Sequence, residues 1–407
     1  MPARFLFLPI VFCALTGYSQ FKNDNVKYQT IFMEDLCESL KTNPDYVLLD
    51  VRSKGEYSDT SSNNYLNIGH LKNAINIDVN ELGNRLNEIR NATNKPVFIY
   101  CSHSQRSRRA STLLADSGFA KVYNINGGLT QFNLLKETGI PCADLFYETS
   151  NHYNFLSPVD LVALLKKDKN VFILDIRQDS FFNAISRDEL LNAYGKLNNA
   201  VNIPLESLAA SLAKVPKDKK IIVVDEAGNE GPKAAKILFA NGFKDVSLAF
   251  NGMSAWIATP LNELPEKNIY WNTPVAYKMI TADDFDELAK KNKELVIVDV
   301  RSAEEFNNKA KDAWRNRGNI KNAINIPSDG FATRWKELDA YKLNPVVIHH
   351  FTSQREAFVA AKTLTDNGFT NVHVLIGGIW NLRWRAANIK GKTHLAEWVE
   401  NIPPDNL

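Results

Sequence analysis

The sequence predicts three consecutive α/β domains, each built on a mainly parallel β-sheet with helices on both faces. Short apolar runs rich in β-branched residues alternate along the chain with longer segments of helical periodicity. Continuous apolar strands separated by helices are typical of parallel sheets buried on both faces. Four sequence blocks also recur three times in one order, and the 407-residue chain is long enough for three domains.

The first repeated block is an apolar strand that ends in Asp-x-Arg. Its three aspartates, Asp50, Asp175 and Asp299, are separated by 125 and 124 residues. The other blocks share this period: Asn-Ala-Ile/Val-Asn-Ile at 73–77, 199–203 and 322–326, Gly-Phe at 118–119, 242–243 and 368–369, and a glycine turn at 127–129, 251–253 and 377–379. Solenoid repeats are only roughly 20 to 50 residues long, so this period indicates whole domains.

Within the first repeat, the pattern predicts the elements in order. Helices are expected over residues 33–40, 79–89 and 107–117 and from Leu129, and strands over residues 46–50, 74–77, 97–100 and 121–125. Gly118, Gly242 and Gly368 each stand where a left-handed residue commonly ends a helix. Linkers are expected near residues 143–154 and 264–277, which gives domains at 27–143, 152–264 and 276–395.

The first twenty residues are typical of a secretory signal peptide. Arg4 precedes an apolar run at residues 5–15, which is too short to cross a bilayer, and small residues follow at a plausible cleavage point. We therefore expect residues 1–20 to be removed and the mature chain to be secreted or periplasmic. The remaining sequence has no second apolar span, so no stable membrane span is expected.

The formal net charge of +2 gives no reason to expect a nucleic-acid partner.

Removal of the signal peptide would leave three cysteines, Cys37, Cys101 and Cys142. An odd number of cysteines in an oxidising compartment leaves at least one thiol unpaired. Two arrangements remain open from the sequence. Either Cys37 pairs with Cys142 and Cys101 stays free, or all three cysteines are reduced.

Cys101 lies at a junction that favours thiol chemistry. It follows the predicted strand at residues 97–100 and precedes a polar loop at residues 102–106 and a predicted helix. Backbone N–H groups and the positive end of the helix dipole converge at such a position, and nearby arginines add positive charge. All of these favour the thiolate, which is the nucleophilic form of cysteine. The alternative is a small buried cysteine that only packs against the sheet.

The other two repeats have no cysteine at this position. The second repeat has Asp225 there, and Glu230 replaces the arginine at position 106. We therefore expect the second repeat to offer no cradle for an anion. In the third repeat the loop is one residue longer, and either His350 or Phe351 takes the cysteine position. Only the first repeat is predicted to perform thiol chemistry.

These motifs together resemble the rhodanese (thiosulfate sulfurtransferase) homology family, in three tandem copies. The matching residues are Asp50-Val51-Arg52 with Glu56-Tyr57 behind it, Gly69-His70-Leu71, the Cys101 loop, and Gly127-Gly128-Leu129 followed by Phe132. The resemblance implies a five-stranded parallel sheet with helices on both faces in each copy. It also implies a loop cysteine that accepts a sulfane sulfur as a persulfide and passes it to a nucleophilic acceptor.

The resemblance implies roles for individual residues of the first repeat. Cys101 would be the nucleophile, and the backbone amides of Ser102, His103, Ser104, Gln105, Arg106 and Ser107 would cradle the sulfur. Arg106 would hold an anionic donor, with electrostatic support from Arg108 and Arg109, and Asp50 and Arg52 would brace the loop. Family loops often have glycine where Ser104 stands. The implied partners are a small anionic sulfur donor, such as thiosulfate, and a thiol or cyanide-like acceptor, which includes a protein acceptor.

Three other functions were weighed against sulfur transfer. A cysteine-dependent phosphatase or arsenate reductase places five residues between cysteine and arginine, whereas four separate Cys101 from Arg106. A largely non-catalytic binding or regulatory protein in sulfur handling fits the loss of cysteine from two repeats. A metal site is not expected, because the adjacent His349 and His350 would point to opposite faces of a strand. No cofactor is expected.

Overall fold

The computed structural model describes residues 26–403, so the predicted signal peptide at residues 1–20 lies outside the described residues. Within this range no helix is long and apolar enough to cross a membrane. Three successive domains are present, and each contains one five-stranded parallel sheet. The predicted fold class is therefore confirmed.

The first domain carries the cysteine loop. Its strands are β1 Gln29–Phe32, β2 Val47–Asp50, β3 His70–Leu71, β4 Ile75–Asn76, β5 Pro96–Tyr100, β6 Lys121–Asn126 and β7 Tyr147–Glu148. Its α-helices are α1 Leu36–Thr42, α2 Lys54–Tyr57, α3 Gln105–Asp116, α4 Gly128–Leu135 and α5 Ala143–Phe146. The parallel sheet has the order β1-β6-β5-β2-β4, and β3 pairs with β7 in a separate antiparallel ladder.

Several elements of the first domain differ from the prediction, and the short elements α2, β3, α5 and β7 are not among those predicted. The edge strand β1 was not expected from the sequence, because its four residues show no clear burial pattern. The helix expected over residues 79–89 is instead a pair of 3-10 helices, Leu82–Asn84 and Leu86–Ala92. Gly83 and Asn84 have low α-helical propensity and interrupt this segment.

The second domain repeats the same architecture. Its strands are β8 Asn154–Leu156, β9 Val171–Asp175, β10 Lys196–Leu197, β11 Val201–Asn202, β12 Lys220–Val224, β13 Val246–Ala249 and β14 Trp271–Asn272. Its α-helices are α6 Pro158–Lys167, α7 Asp179–Phe182, α8 Glu189–Ala193, α9 Leu205–Leu208, α10 Gly231–Ala240 and α11 Gly252–Ala258. The sheet order β8-β13-β12-β9-β11 corresponds strand by strand to that of the first domain.

The third domain has the order β15-β20-β19-β16-β18. Its strands are β15 Lys278–Ile280, β16 Val296–Asp299, β17 Asn319–Ile320, β18 Ile324–Asn325, β19 Val346–His349, β20 Val372–Leu375 and β21 Val399–Glu400. Its α-helices are α12 Ala282–Lys291, α13 Ala303–Phe306, α14 Phe331–Arg334, α15 Arg355–Asp366 and α16 Gly378–Asn388. The shared order places equivalent loops at the same edge of each sheet.

Neighbouring domains share hydrophobic cores. Alternation along a strand sends successive side chains to opposite faces of the sheet. Phe98 of β5 therefore lies in a core that also contains Ile221 of β12, whereas Ile99 lies in a separate core of the first domain. On the other face of β12, Ile222 belongs to a core that includes Ile348 of β19. The three domains consequently pack as one body.

A disulfide closes the first domain. Cys37 on α1 is bonded to Cys142, which precedes α5, and the two Cα atoms are 5.8 Å apart. Cys101 is the free cysteine among the described residues. The structure thus adopts the first of the two cysteine arrangements that the sequence left open.

Loss of this disulfide should destabilise the first domain. The bond spans 105 residues, and cross-links over loops of this size typically contribute about 2–4 kcal/mol by restricting the unfolded chain. We expect Cys142→Ser, or addition of a reductant to the wild type, to lower the urea midpoint of unfolding. In Cys101→Ser the reductant should lower the midpoint by as much as in the wild type, and equal midpoints with and without reductant would contradict the expectation.

Candidate active site

Cys101 lies at the carboxyl end of β5, directly before the loop that leads into α3. Functional sites of parallel α/β sheets lie beyond this end of the strands. The residue is only 1% exposed, so little of it is open to a reactant from solvent. Asp50 and Asn126 end the two strands on either side of β5.

The loop turns around the sulfur of Cys101. The backbone N–H of Ser104 donates a hydrogen bond to Cys101 Sγ at 3.1 Å. Ser104 has a φ of 102°, in the left-handed region that favours glycine. Its hydroxyl compensates by accepting a hydrogen bond from Gly127 N at 2.7 Å, and its carbonyl accepts one from Ser107 Oγ at 3.0 Å. Ser104 thus gives the loop the turn that Gly228, with a φ of 88°, provides in the second domain.

The glycine turn at residues 127–129 holds the base of the loop. Leu129 N donates to Cys101 O at 2.9 Å, and Thr130 N donates to Ser102 O at 3.0 Å. A side-chain carbon at Gly128 would lie 2.2 Å from Cys101 O, which only glycine avoids. The turn and the Cys101 loop come so close that only glycine fits at position 128. This explains the glycine in the repeated turn of the sequence.

The same close approach identifies the equivalent residues of the other domains. A carbon added to Gly252 would lie 2.3 Å from Asp225 O, and one added to Gly378 would lie 2.1 Å from His350 O. His350, and not Phe351, is therefore the counterpart of Cys101.

The loop N–H groups of the second domain converge on an anion, and that anion is the carboxylate of the domain's own Asp225. Asp225 Oδ1 accepts a hydrogen bond from Gly228 N at 2.7 Å, and Oδ2 accepts from Glu230 N and Gly231 N, both at 2.8 Å. The carboxylate of the domain itself fills the cradle. Burial raises the pKa of Asp225, while the three N–H groups act against that rise.

The third domain provides different hydrogen-bond acceptors for the backbone N–H groups of its longer loop. His350 Nδ1 accepts a hydrogen bond from Phe351 N at 2.7 Å. Ser353 Oγ accepts from Gly377 N at 2.7 Å, as Ser104 does from Gly127 in the first domain. Neither of these domains presents a thiol at the loop.

Arg106 is engaged by a carboxylate. Its guanidinium donates to both oxygens of Glu56 at 2.6 Å, and also to Ser102 Oγ at 3.1 Å. Burial alone would raise the pKa of Glu56, but the hydrogen bonds and charge of Arg106 outweigh it and lower that pKa. In this structure Arg106 therefore ties the loop to α2, and the pair neutralises much of the charge that the sequence assigned to donor binding.

The other polar loop residues differ in their surroundings. Arg109 is exposed and donates to Asn80 Oδ1, and Gln105 is also exposed. His103 has an exposed ring whose Nδ1 lies 2.9 Å from Ser102 Oγ and whose Nε2 lies 3.1 Å from Thr130 Oγ1. Desolvation, together with the charge of Arg106, lowers the pKa of His103.

A buried ion pair lies beneath the loop. Arg52 Nη2 donates to Asp50 Oδ2 at 2.8 Å and to Gly69 O at 2.7 Å, and both side chains of the ion pair have no exposed surface. The equivalent pairs are Arg177 with Asp175 and Arg301 with Asp299. Because the pair recurs in domains without cysteine, it belongs to the architecture of the sheet edge.

The described residues contain no cluster of three or more histidine, cysteine, aspartate or glutamate side chains able to hold a metal ion.

Comparison with known families settles the relationship of the chain. The model of the rhodanese-like domain matches residues 34–134, 157–259 and 281–383. The chain belongs to the rhodanese-like domain family. The three matches confirm the three tandem copies inferred from the repeated motifs.

Individual relatives match only part of this rhodanese-like chain. The uncharacterized protein YqhL of Bacillus subtilis is 39% identical over 85 residues, covering 21% of this chain and 59% of that protein. The tRNA uridine(34) hydroxylase of Cytophaga hutchinsonii is 29% identical over 100 residues, covering 24% of this chain and 29% of that protein. The chain therefore spans less than two thirds of either relative.

Two solved structures are similar to the rhodanese-like chain at low identity. Thiosulfate sulfurtransferase from Pseudomonas aeruginosa has 15% identity and a TM-score of 0.22, with 85% of this chain and 66% of that chain covered. The anaerobic ergothioneine biosynthesis enzyme from Chlorobium limicola has 15% identity and a TM-score of 0.27, with 87% and 96% covered.

Ser104 allows a direct test of the loop geometry. Ser104→Ala would lose the hydrogen bond to Gly127 while keeping the left-handed φ, so we expect a loss of about 1 kcal/mol in the free energy of unfolding. Ser104→Gly would lose the same bond but relieve a backbone strain of about 1 kcal/mol, and should be nearly neutral. Urea unfolding of both variants measures the difference; an equally destabilised glycine variant would contradict the proposed turn.

The Glu56–Arg106 pair should make stability depend on pH. Since the folded-state pKa of Glu56 is lowered from its usual 4.5, the pair contributes fully above about pH 4.5 and its contribution is lost as pH falls through the folded-state pKa. Glu56→Gln should therefore be less stable than the wild type at pH 7, by about 1–3 kcal/mol. The difference should shrink in urea titrations at pH 3–4, and a difference independent of pH would argue against the pair.

Proposed function

We propose that the chain is an exported sulfurtransferase whose first domain carries a sulfane sulfur as a persulfide on Cys101. The observation that carries this proposal is the occupied loop of the second domain, where three backbone N–H groups bind the carboxylate of Asp225. This loop architecture can therefore hold an anion. In the first domain the same position carries a free thiol, which receives one N–H bond from Ser104.

The reaction proceeds by two displacements at sulfur. The Cys101 thiolate attacks the outer sulfur of the donor, forming a new S–S bond while the S–S bond of thiosulfate breaks and sulfite leaves with the electron pair. The loop N–H groups stabilise the negative charge of the resulting persulfide. An acceptor thiolate or cyanide then attacks the outer sulfur, and the Cys101 thiolate is released with its electron pair.

The surroundings of Cys101 restrict the partners. Since only 1% of the residue is exposed, the donor must present a small terminal sulfur, as a small anion such as thiosulfate does. The acceptor must reach the same sulfur with a thiol, a cyanide-like nucleophile or a protruding side chain of a protein. The second and third domains have no thiol at their loops, so we assign them no part in the covalent steps.

Export to a secreted or periplasmic location is the second part of the proposal. It rests on the apolar run at residues 5–15 in the sequence. The Cys37–Cys142 disulfide supports it, because such bonds persist mainly in oxidising compartments.

Intact-mass spectrometry tests the chemistry directly. Reduced signal-free protein, treated with thiosulfate, should gain one sulfur atom, and cyanide should remove it. Cys101→Ser should gain none, whereas Cys142→Ser serves as the matched control that keeps the active thiol. If neither thiosulfate nor a mercaptopyruvate-type donor adds sulfur to the wild type, the sulfurtransferase proposal fails and a binding role becomes the better account.

A further inference from the structure

Arg108 is a half-buried cation without a carboxylate partner among the residues that the structure describes. Its Nη2 donates to Asn126 Oδ1 at 3.2 Å and to Asn388 Oδ1 at 2.6 Å, and both acceptors are neutral amides. Burial lowers the pKa of Arg108, while interactions with Tyr28 and Cys101 raise it. Arg108 lies in the first turn of α3, and its backbone N–H donates a hydrogen bond to Ser104 O at 3.0 Å, so it stands beside the loop that surrounds the Cys101 sulfur. Its charge, unlike that of Arg106, is not neutralised by a carboxylate among the described residues.

The shorter of the two contacts comes from the third domain. Asn388 is the last residue of α16 and lies 280 positions from Arg108 in the chain. Its amide nitrogen donates to Trp384 O at 2.7 Å, which fixes the amide so that Oδ1 is available to Arg108. Carbonyl groups at the carboxyl end of a helix also favour a nearby cation. The third domain therefore supplies both the hydrogen bond and a favourable field.

Two asparagines of β6 complete this polar contact between the domains. Asn126 Nδ2 donates to Ala387 O at 2.8 Å, and Asn124 Nδ2 donates to Asn126 Oδ1 at 2.8 Å. Asn124, Asn126 and Asn388 are each at most 2% exposed. Asn124 Oδ1 and Arg108 Nε are buried without a hydrogen-bond partner in the described part of the chain, so the bonds that fix Arg108 in this network are those from its Nη2 to Asn126 and Asn388.

The internal repeat shows that this network is specific to the domain with the cysteine. The registers Val97–Val122, Ile221–Val246 and Val346–Val372 align the three domains residue by residue. The buried counterparts of Asn124, Asn126 and Arg108 are apolar: Leu248, Phe250 and Pro232 in the second domain, and Val374, Ile376 and Phe358 in the third. The fold does not need polar residues at these positions.

We propose that the third domain completes the site of the first domain, with Asn388 positioning Arg108 so that its charge binds the anionic group of the sulfur donor. The identity of the anion as a sulfur donor rests on the function proposed above. The positive field beside Cys101 does not, and it acts on any anionic reagent that approaches the thiol. Asn388 is accordingly a positioning residue, and Arg108 is the group that contacts the anion.

Alkylation of Cys101 measures that field without requiring sulfur transfer. In the oxidised chain without residues 1–20, Cys37 and Cys142 are bonded, so Cys101 is the thiol available among the described residues. For each protein we take the ratio of two rates of Cys101 alkylation, the rate with anionic iodoacetate divided by the rate with neutral iodoacetamide. We expect this ratio to fall about 3–10-fold in Arg108→Gln and about 2–5-fold in Asn388→Ala, and to remain high in Arg108→Lys.

Lys390→Ala is the matched control. Lys390 also joins the third domain to the first, through Asp35 at 2.5 Å, but it is exposed and does not contact Arg108. The ratio should be unchanged in this variant. Asn388→Asp provides a second test, because a carboxylate on Arg108 should neutralise it and lower the ratio at least as far as Arg108→Gln does. Equal thermal midpoints would show that the variants are folded.

An unchanged ratio in folded Arg108→Gln overturns the proposal, as does a fall in Arg108→Gln that neither Asn388 variant reproduces. A fall in Lys390→Ala equal to that in Asn388→Ala also overturns it, because the effect would then come from the domain contact as a whole. If the ratio behaves as expected but no persulfide forms with thiosulfate, the sulfur-transfer proposal fails while the role of the third domain stands.

Discussion

The structure depends on the need to satisfy the backbone N–H groups of one loop, which follows the central strand of each sheet and turns toward a single point. Buried N–H groups require an acceptor. The first domain provides the sulfur of Cys101, the second the carboxylate of Asp225, and the third the imidazole of His350 on a longer loop. The glycine turn that follows the next strand holds all three loops by an equivalent backbone hydrogen bond, donated by Leu129, Met253 and Ile379. Changing the acceptor therefore changes the chemistry while the fold is retained.

Electrostatics then distinguish the first domain from its copies. The buried aspartate–arginine pair is common to all three and so contributes to the sheet edge. In the first domain Glu56 neutralises Arg106, which ties the loop to the neighbouring helix. Arg108 has no carboxylate partner among the described residues, and it is held by an amide of the third domain. On this account, a domain with no thiol at its own loop contributes to the site through the end of one helix, whose Asn388 and Ala387 accept hydrogen bonds from Arg108 and Asn126.

The sequence was sufficient to predict the three domains, their parallel sheets and the position of Cys101, because these follow from periodicity and from repeated blocks. It could not reveal the partner of Arg106, since Glu56 is also compatible with a helix cap alone. It did not show that Asp225 itself occupies the loop of the second domain, because the loss of arginine says nothing about backbone N–H groups. The Arg108–Asn388 contact joins residues 280 positions apart, and no local pattern encodes such a contact. The apolar counterparts of Asn124 and Asn126 in the other repeats were the one signal that could have pointed to it.

The central claim is that the N–H groups of the Cys101 loop bind sulfur where those of the Asp225 loop bind a carboxylate. A crystal structure of the full chain soaked in thiosulfate tests this most directly. The account predicts a second sulfur bonded to Cys101 Sγ, inside the loop and within hydrogen-bonding distance of N–H groups between Ser102 and Ser107, with the Asp225 loop unchanged. An added sulfur that points out of the loop, with no N–H group near it, would contradict the account.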